Sequence, residues 1–207
     1  MRPIPSHPAS HPSSSRSKSN NSPSLAGSDT TATGLRATFL YLLTSPKSLH
    51  KLLHELRTAV QTGRISSPVT DAEARSLPYL QACIKEGLRI FPPATGLIMK
   101  CPPPGGATFL GKFIPEGTKV GYVAWSIFRS KEVYGLDANM FRPERWLEAD
   151  GPTLERMERS ADMLFSPGKW MCLGKNVAML ELNKYFVEVS FISLFLTRRL
   201  FFFSSLT

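Results

Sequence analysis

Apolar positions enter this chain abruptly. Residues 1–24 are mostly Ser, Pro, Asn and His with almost nothing to bury, which predicts a disordered tail. From Leu25 the pattern turns periodic, and Leu35, Phe39 and Leu42 fall on one helical face. Ser45-Pro46 then reads as an N-cap followed by proline at the first helical position, which starts a second helix. Leu49, Leu52, Leu53, Leu56 and Val60 give that helix its apolar stripe, and Gly63 closes it. Residues 61–76 are polar and read as a connection. A third helix is predicted over about Pro78 to Ile90, with Leu80, Ile84 and Leu88 facing inward and Pro92-Pro93 as its stop.

Beyond this point the period shortens. Ala107–Leu110, Lys112–Ile114 and Thr118–Trp125 are β-rich pieces, separated by Gly111 and by the turn Pro115-Glu116-Gly117. Lys131 to Lys169 carries Pro, Gly and Asp without a sustained period and reads as irregular. A final helix is predicted from just after Cys172 to about Val189. No repeat is visible. The expected fold is therefore mainly α with a small β-sheet, over residues 25–189, followed by an atypical apolar tail at 190–207. The apolar run from Tyr185 to Thr207 is broken by Glu188, Arg198 and Arg199. It falls short of the roughly 18 uncharged residues that span a bilayer, so only weak membrane affinity is expected of it. The amino terminus has no charged-then-apolar leader pattern.

Composition narrows the class. A chain of 207 residues, 42% hydrophobic, can build one core. The net charge of +9 raises the question of nucleic acid, but the 25 Lys and Arg are scattered and never alternate with aromatics. No nucleic-acid binding is expected; a basic face for an acidic protein partner fits better. Cys83, Cys101 and Cys172 are too few and too far apart for a disulfide framework or a zinc site, a pattern that fits a reducing compartment. His50 and His54 share the i, i+4 spacing of a metal pair. With no glutamate after the first and no third ligand, they read as surface residues.

Three clusters could carry chemistry. In Phe165-Ser166-Pro167-Gly168-Lys169-Trp170-Met171-Cys172-Leu173-Gly174, a glycine-bearing loop delivers one cysteine to a helix start. Unpaired N–H groups and the positive dipole end favour an anion there, here a thiolate. Gly168 and Gly174 let a flat ligand approach the backbone. Taken alone, such a cysteine is more often a buried structural residue. Glu86 and Arg89 sit i, i+3 on the third helix, the spacing of an ordinary surface ion pair. However, Arg145, in Phe141-Arg142-Pro143-Glu144-Arg145-Trp146, could reach back to make Glu86 a buried charge with two arginine partners. Near the start, Ala26-Gly27-Ser28-Asp29-Thr30-Thr31 is either a widened helix beside a small-molecule pocket, with Asp29 and Thr30 relaying protons, or a plain N-cap.

In order and spacing, these elements resemble the signature of the cytochrome P450 family. The segment Ala26–Thr31 is similar to its oxygen-binding helix, Glu86–Arg89 to its Glu-x-x-Arg helix, Pro143–Trp146 to its Pro-Glu-Arg-aromatic segment, and Phe165–Gly174 to its cysteine loop. Ala178 and Glu181 fit the continuation into the helix behind. The resemblance covers residues 25–189, and Phe113-Ile114-Pro115-Glu116-Gly117-Thr118 looks most like fungal members.

The resemblance implies a haem-dependent monooxygenase built on haem b, iron protoporphyrin IX. It implies Cys172 as axial iron ligand, and Phe165, Gly168, Trp170, Gly174, Lys100, Ala26 and Gly27 beside the cofactor. Asp29 and Thr30 match the acid–alcohol pair that delivers protons, Glu86, Arg89 and Arg145 a structural triad, and Ala94 to Met99 a substrate wall. One atom of dioxygen would enter a small organic substrate. Electrons would come from NADPH through a flavoprotein reductase, whose acidity suits this basic chain. Full-length members are anchored on the cytoplasmic face of the endoplasmic reticulum; with no clear anchor here, a cytoplasmic location is the alternative.

Four departures qualify this. Trp170 stands where the family has a propionate-binding arginine. Lys100 takes roughly the place of another, supplying charge without a planar fork. Family members are more than twice as long, the portion before the oxygen-binding helix being absent, and the sequence after Val189 ceases to match. A truncated P450 fold is thus expected, from a truncated or mis-assembled gene product with retained intron sequence at its end. An inactive remnant without haem turnover is the alternative function.

Overall fold

A computed structural model describes the backbone of residues 23–204 and the side chains of residues 26–190, that of Leu97 excepted. Nine helices, α1 to α9, and four strands, β1 to β4, follow in chain order among these residues: α1 Pro23–Leu43, α2 Pro46–Gln61, α3 Asp71–Arg75, α4 Pro78–Ile90, β1 Leu97–Lys100, β2 Ala107–Phe109, β3 Lys112–Ile114, β4 Val120–Val123, α5 Ala124–Ile127, α6 Lys131–Tyr134, α7 Arg145–Glu148, α8 Gly151–Asp162 and α9 Lys175–Ser204. The fold is mainly helical, as the periodicity predicts. The disordered tail expected at 1–24 falls outside the described residues up to residue 22, and α1 is already helical from Pro23. Past Ser190 only the helical backbone of the predicted apolar tail is described.

The hub is α4. Proline in its first turn starts it, and ten of its residues are buried, so it is covered nearly all round. Leu80, Ile84 and Leu88 of α4 pack with Leu42 of α1, Leu52 and Leu56 of α2, and Leu182, Phe186 and Val187 of α9. Burying each such side chain contributes roughly 1.5–3 kcal/mol before entropy is counted. Where α1 crosses α4, a Cβ on Gly87 would lie 2.0 Å from Thr38 Oγ1, so only glycine permits this approach. A second core joins Ala82 to Tyr134, Ala138, Trp146 and Met157, seating the segment of α6 to α8 against α4.

Several expectations change. The polar connection at 61–76 contains α3, started by a capping box in which Thr70 Oγ1 accepts from Glu73 N and the Glu73 carboxylate accepts from Thr70 N. Ser45 does occupy the N-cap of α2, but its side chain makes no capping bond; its carbonyl accepts from Leu49 N at 3.0 Å. The irregular stretch at 131–169 holds three helices, among them α8, whose N-cap Asp150 accepts from Thr153 N at 2.8 Å. The single small sheet is two antiparallel pairs. Lys112–Ile114 falls where predicted and pairs with β2 across the turn Leu110-Gly111, whereas β4 pairs with the unforeseen β1, setting Lys100 opposite Val120.

Candidate functional site

Two neighbouring constructions form the site. The first is the loop between α8 and α9. A 3₁₀ turn over Met163–Phe165 leads into Ser166 and Gly168, both with positive φ, and a second over Gly168–Trp170. At Gly168 (φ 72°) glycine removes the steric cost of the left-handed turn. The chain then doubles back: Cys172 N donates to Phe165 O at 2.8 Å and Met171 N to Gly168 O at 3.0 Å. Cys172 is thereby held three residues ahead of α9, with its thiol free and exposed. The buried alternative for this cysteine is overturned. Cys83 is the buried one; burial pushes its thiol well above the usual range, so it stays neutral.

Around Cys172 the surface is apolar and open. Leu173 is 100% exposed and Trp170 67%, with Met171 and Val177 beside them in sequence also largely exposed. A Cβ on Gly168 would touch nothing, and one on Gly174 would meet only Cys172 Sγ, at 3.8 Å. Lys100 Nζ lies 5.9 Å from the Trp170 ring centroid and Lys169 Nζ lies 5.6 Å from it. An accessible sulfur among apolar side chains, cleared of bulk and edged by cations, fits a flat apolar cofactor bearing a metal and negative groups.

The second construction is the buried charge network. Glu86 is fully buried and accepts five hydrogen bonds: from Arg89 Nε and Nη2, Arg145 Nε, Trp146 Nε1 and the backbone N–H of Arg142, at 2.8–3.0 Å. Both arginines also donate to carbonyls, Arg89 to Phe128 and Ala138, Arg145 to Asp137 and Met140, and Arg145 Nη1 reaches the Asp137 carboxylate as well. Each charge is thus paired and saturated, which a buried ion group requires. Asp137 adds a second acid. Partial burial alone would push its carboxyl up, but hydrogen bonds from Arg145 and Arg142 outweigh that and hold it below the usual range. The surface-pair alternative for Glu86 and Arg89 is overturned. Asp137 escaped the sequence reading, which named Trp146 as the aromatic of the Pro143–Trp146 segment without giving it a bond to Glu86. A cleft of about 280 Å³ lies between this network and the cysteine loop, touching Arg89, Trp146 and Phe165.

The remaining predicted residues lie apart. Ala26, Gly27, Asp29 and Thr30 sit in the exposed opening turns of α1, and Thr30 Oγ1 donates to Ala26 O at 2.9 Å. Because α1 begins at Pro23, Asp29 and Thr30 are interior helical residues, which overturns the N-cap alternative. Among the described residues none of these four hydrogen-bonds to the cysteine loop. Ala94, Thr95 and Gly96 are exposed and lead into β1. His50 and His54 are exposed, and the described residues include no metal-ready group of three ligands. No described helix is long and apolar enough to cross a membrane.

A helical domain that presents one accessible cysteine at a helix mouth, behind a glycine-bearing turn and beside a saturated Glu–Arg–Arg network, is of the class suited to bind a cofactor through sulfur. The family described as Cytochrome P450 matches residues 24–189. Among relatives, the Cytochrome P450 monooxygenase ABA1 of Pyricularia oryzae is 49% identical over 166 residues, covering 80% of this chain and 32% of its own length. The Botryotinia fuckeliana protein named Cytochrome P450 monooxygenase aba1 is 42% identical over 165 residues, 80% of this chain and 32% of its own. Pisatin demethylase of Fusarium vanettenii is 41% identical over 164 residues, 79% of this chain and 30% of its own. The chain belongs to the cytochrome P450 family. It spans about a third of the length of these curated relatives, and family membership implies a haem cofactor.

Proposed function

We propose that this chain is the cysteine-ligand portion of a haem-dependent monooxygenase that inserts one atom of dioxygen into a small organic substrate. NADPH is the electron source, through a flavoprotein reductase docking on the basic surface, and haem b is the cofactor. The observation that carries this is the exposed Cys172 thiol, fixed by the 2.8 Å bond from its own N–H to Phe165 O. Bound there, the haem supplies the oxygen chemistry, and thiolate ligation pushes electron density toward O–O cleavage, as the family generally illustrates.

The protein's own residues do the rest. Cys172 Sγ, exposed three residues ahead of α9, would hold the cofactor's iron. Gly168 and Gly174 keep bulk from the approaching ring, while Phe165, Trp170 and Lys100 border it. Glu86, Arg89 and Arg145 keep the wall behind the loop rigid. Thr30 donates its hydroxyl proton to Ala26 O, which leaves its oxygen free to accept another, and Asp29 beside it in sequence is exposed. That pair is suited to pass protons inward, with Ala26 and Gly27 leaving room for dioxygen. The full-length enzyme is placed on the cytoplasmic face of the endoplasmic reticulum.

The test is a difference spectrum. The whole chain is incubated with hemin, reduced and exposed to carbon monoxide. The red-shifted Soret band of a thiolate ligand is expected, and Cys172→Ala should abolish it. A band that survives Cys172→Ala, or a chain that stays colourless, overturns the proposal.

A further inference from the structure

We infer that Tyr122 is a positioning residue for the cysteine ligand: its hydroxyl, on β4, holds the Met163 carbonyl at the root of the cysteine loop and so fixes the turn that carries Cys172. This rests on the haem-thiolate reading above. Tyr122 Oη donates to Met163 O across 41 residues of sequence. The same carbonyl accepts from Ser166 N at 3.1 Å, and the Phe165 carbonyl two residues on accepts from Cys172 N at 2.8 Å. Among the described residues, the other hydrogen bonds of the loop stay within it or reach the adjoining helices. The Tyr122 bond is therefore the one there that ties the loop to a segment distant in sequence.

The loop needs such a tether. Ser166 has φ 56°, a left-handed backbone unfavourable to any residue with a side chain, which persists only where the surroundings hold it. The turn that leads into it, Met163–Phe165, is three residues of 3₁₀ helix, whose own hydrogen-bond geometry is poor. Tyr122 grips the first of those residues. Its strand is itself anchored. Tyr122 pairs with Ile98 of β1, and β4 runs directly into α5 and on to buried Phe128, whose carbonyl accepts from Arg89 Nη1 at 2.6 Å. Tyr122 thus links the buried charge network to the cysteine turn. A phenol carries its donor at the end of a rigid ring, so the bond sets a distance as well as a direction. Without it the Met163 carbonyl can turn away, the Ser166 backbone can relax, and the bond from Cys172 N to Phe165 O opens more often. A smaller share of bound haem is then held by sulfur.

The experiment compares the whole wild-type chain with Tyr122→Phe, which keeps the ring and removes only the hydroxyl. Amide hydrogen exchange without haem is the first readout. The Ser166 and Cys172 amides should exchange roughly tenfold faster in the variant, the scale of one lost hydrogen bond. The Arg142 amide, held by Glu86, and the Gln81 amide, held by Leu77 O, should keep their wild-type rates. The second readout follows hemin uptake, reduction and exposure to carbon monoxide. The ratio of bound haem lacking the red-shifted thiolate band to bound haem showing it should rise by a similar factor. If the loop amides keep their rates, the positioning role is overturned. It is overturned equally if Arg142 and Gln81 speed up to the same extent, which marks a loss of overall stability. An unchanged spectral ratio in a loosened loop overturns it too, while Cys172 ligation stands. If the wild-type chain gives no thiolate band, this inference and the reading beneath it fall together.

Discussion

Trp146 on α7 donates its indole N–H to the Glu86 carboxylate on α4 at 2.9 Å, across 60 residues of sequence. The bond adds a neutral donor to an acid that already faces two guanidinium groups, and so completes the satisfaction of a charge with no access to water. Removing donors should therefore act in a graded way. Trp146→Phe should cost about 1–3 kcal/mol, the scale of one bond to a buried charged group. Arg145→Met leaves the acid short of a charge and should cost about 3–5 kcal/mol. Urea denaturation of both variants checks the order; equal losses would contradict it.

The crossing of α1 over α4 gives a second prediction. Gly87→Ala should destabilise by at least the roughly 1–3 kcal/mol usual for overpacking, because the new methyl overlaps Thr38 Oγ1, Cγ2 and Cβ at 2.0, 2.5 and 2.6 Å. Thr38 Oγ1 is buried without a partner, so Thr38→Ala removes an unsatisfied oxygen along with a methyl. The double variant should lose less than the sum of the singles, yet remain below the wild type, since the Thr38 Cβ clash persists. Thermal melts of the four proteins provide the cycle.

Acid sensitivity has one identifiable source in the box that starts α3. Glu73 accepts from Thr70 N, and further from Thr70 Oγ1, Ser66 Oγ and Ser66 N, which lowers its carboxyl from 4.5 to about 2. A folded-state value below the unfolded one means the stabilisation is complete above about pH 4.5 and is lost as pH falls toward 2. Glu73→Gln cannot titrate. Its denaturation midpoint should fall less steeply across that window than the wild type's. Parallel profiles for the two proteins would rule this source out.

The cysteines should separate chemically. Iodoacetamide applied to the native chain should label Cys101 and Cys172, which are exposed, and spare Cys83, which is 1% exposed and held as the neutral thiol. Cys172→Ala should leave the stability of the ligand-free chain within about 0.5 kcal/mol. Cys83→Ser places a hydroxyl in an apolar core and should cost about 1–3 kcal/mol. Peptide mapping and denaturation midpoints measure these outcomes.

What the amino-acid pattern revealed, and what it hid, follows from how each element is stabilised. The helices α2 and α4 announce themselves because each has a proline start and an apolar stripe. By contrast α8 is nearly all polar, with Met157 its one buried apolar side chain, so its periodicity is faint and only the Asp150 cap signals it. Likewise α3 depends on Thr70 and Glu73 and has little to bury beyond Ala74. Four residues of β1 gain meaning only from pairing with β4, a contact that no local pattern contains. At the site, Glu86, Arg89, Arg145 and Cys172 were legible because residue type and spacing already restrict their chemistry.

The five donors on Glu86 all come from the polypeptide. The scaffolding behind the cysteine turn is consequently self-sufficient, and under the proposed haem ligation emptying the pocket would bleach the protein without loosening that masonry. Pigment can then be the last part fitted during maturation, and a chain stripped of it should be ready to accept a replacement.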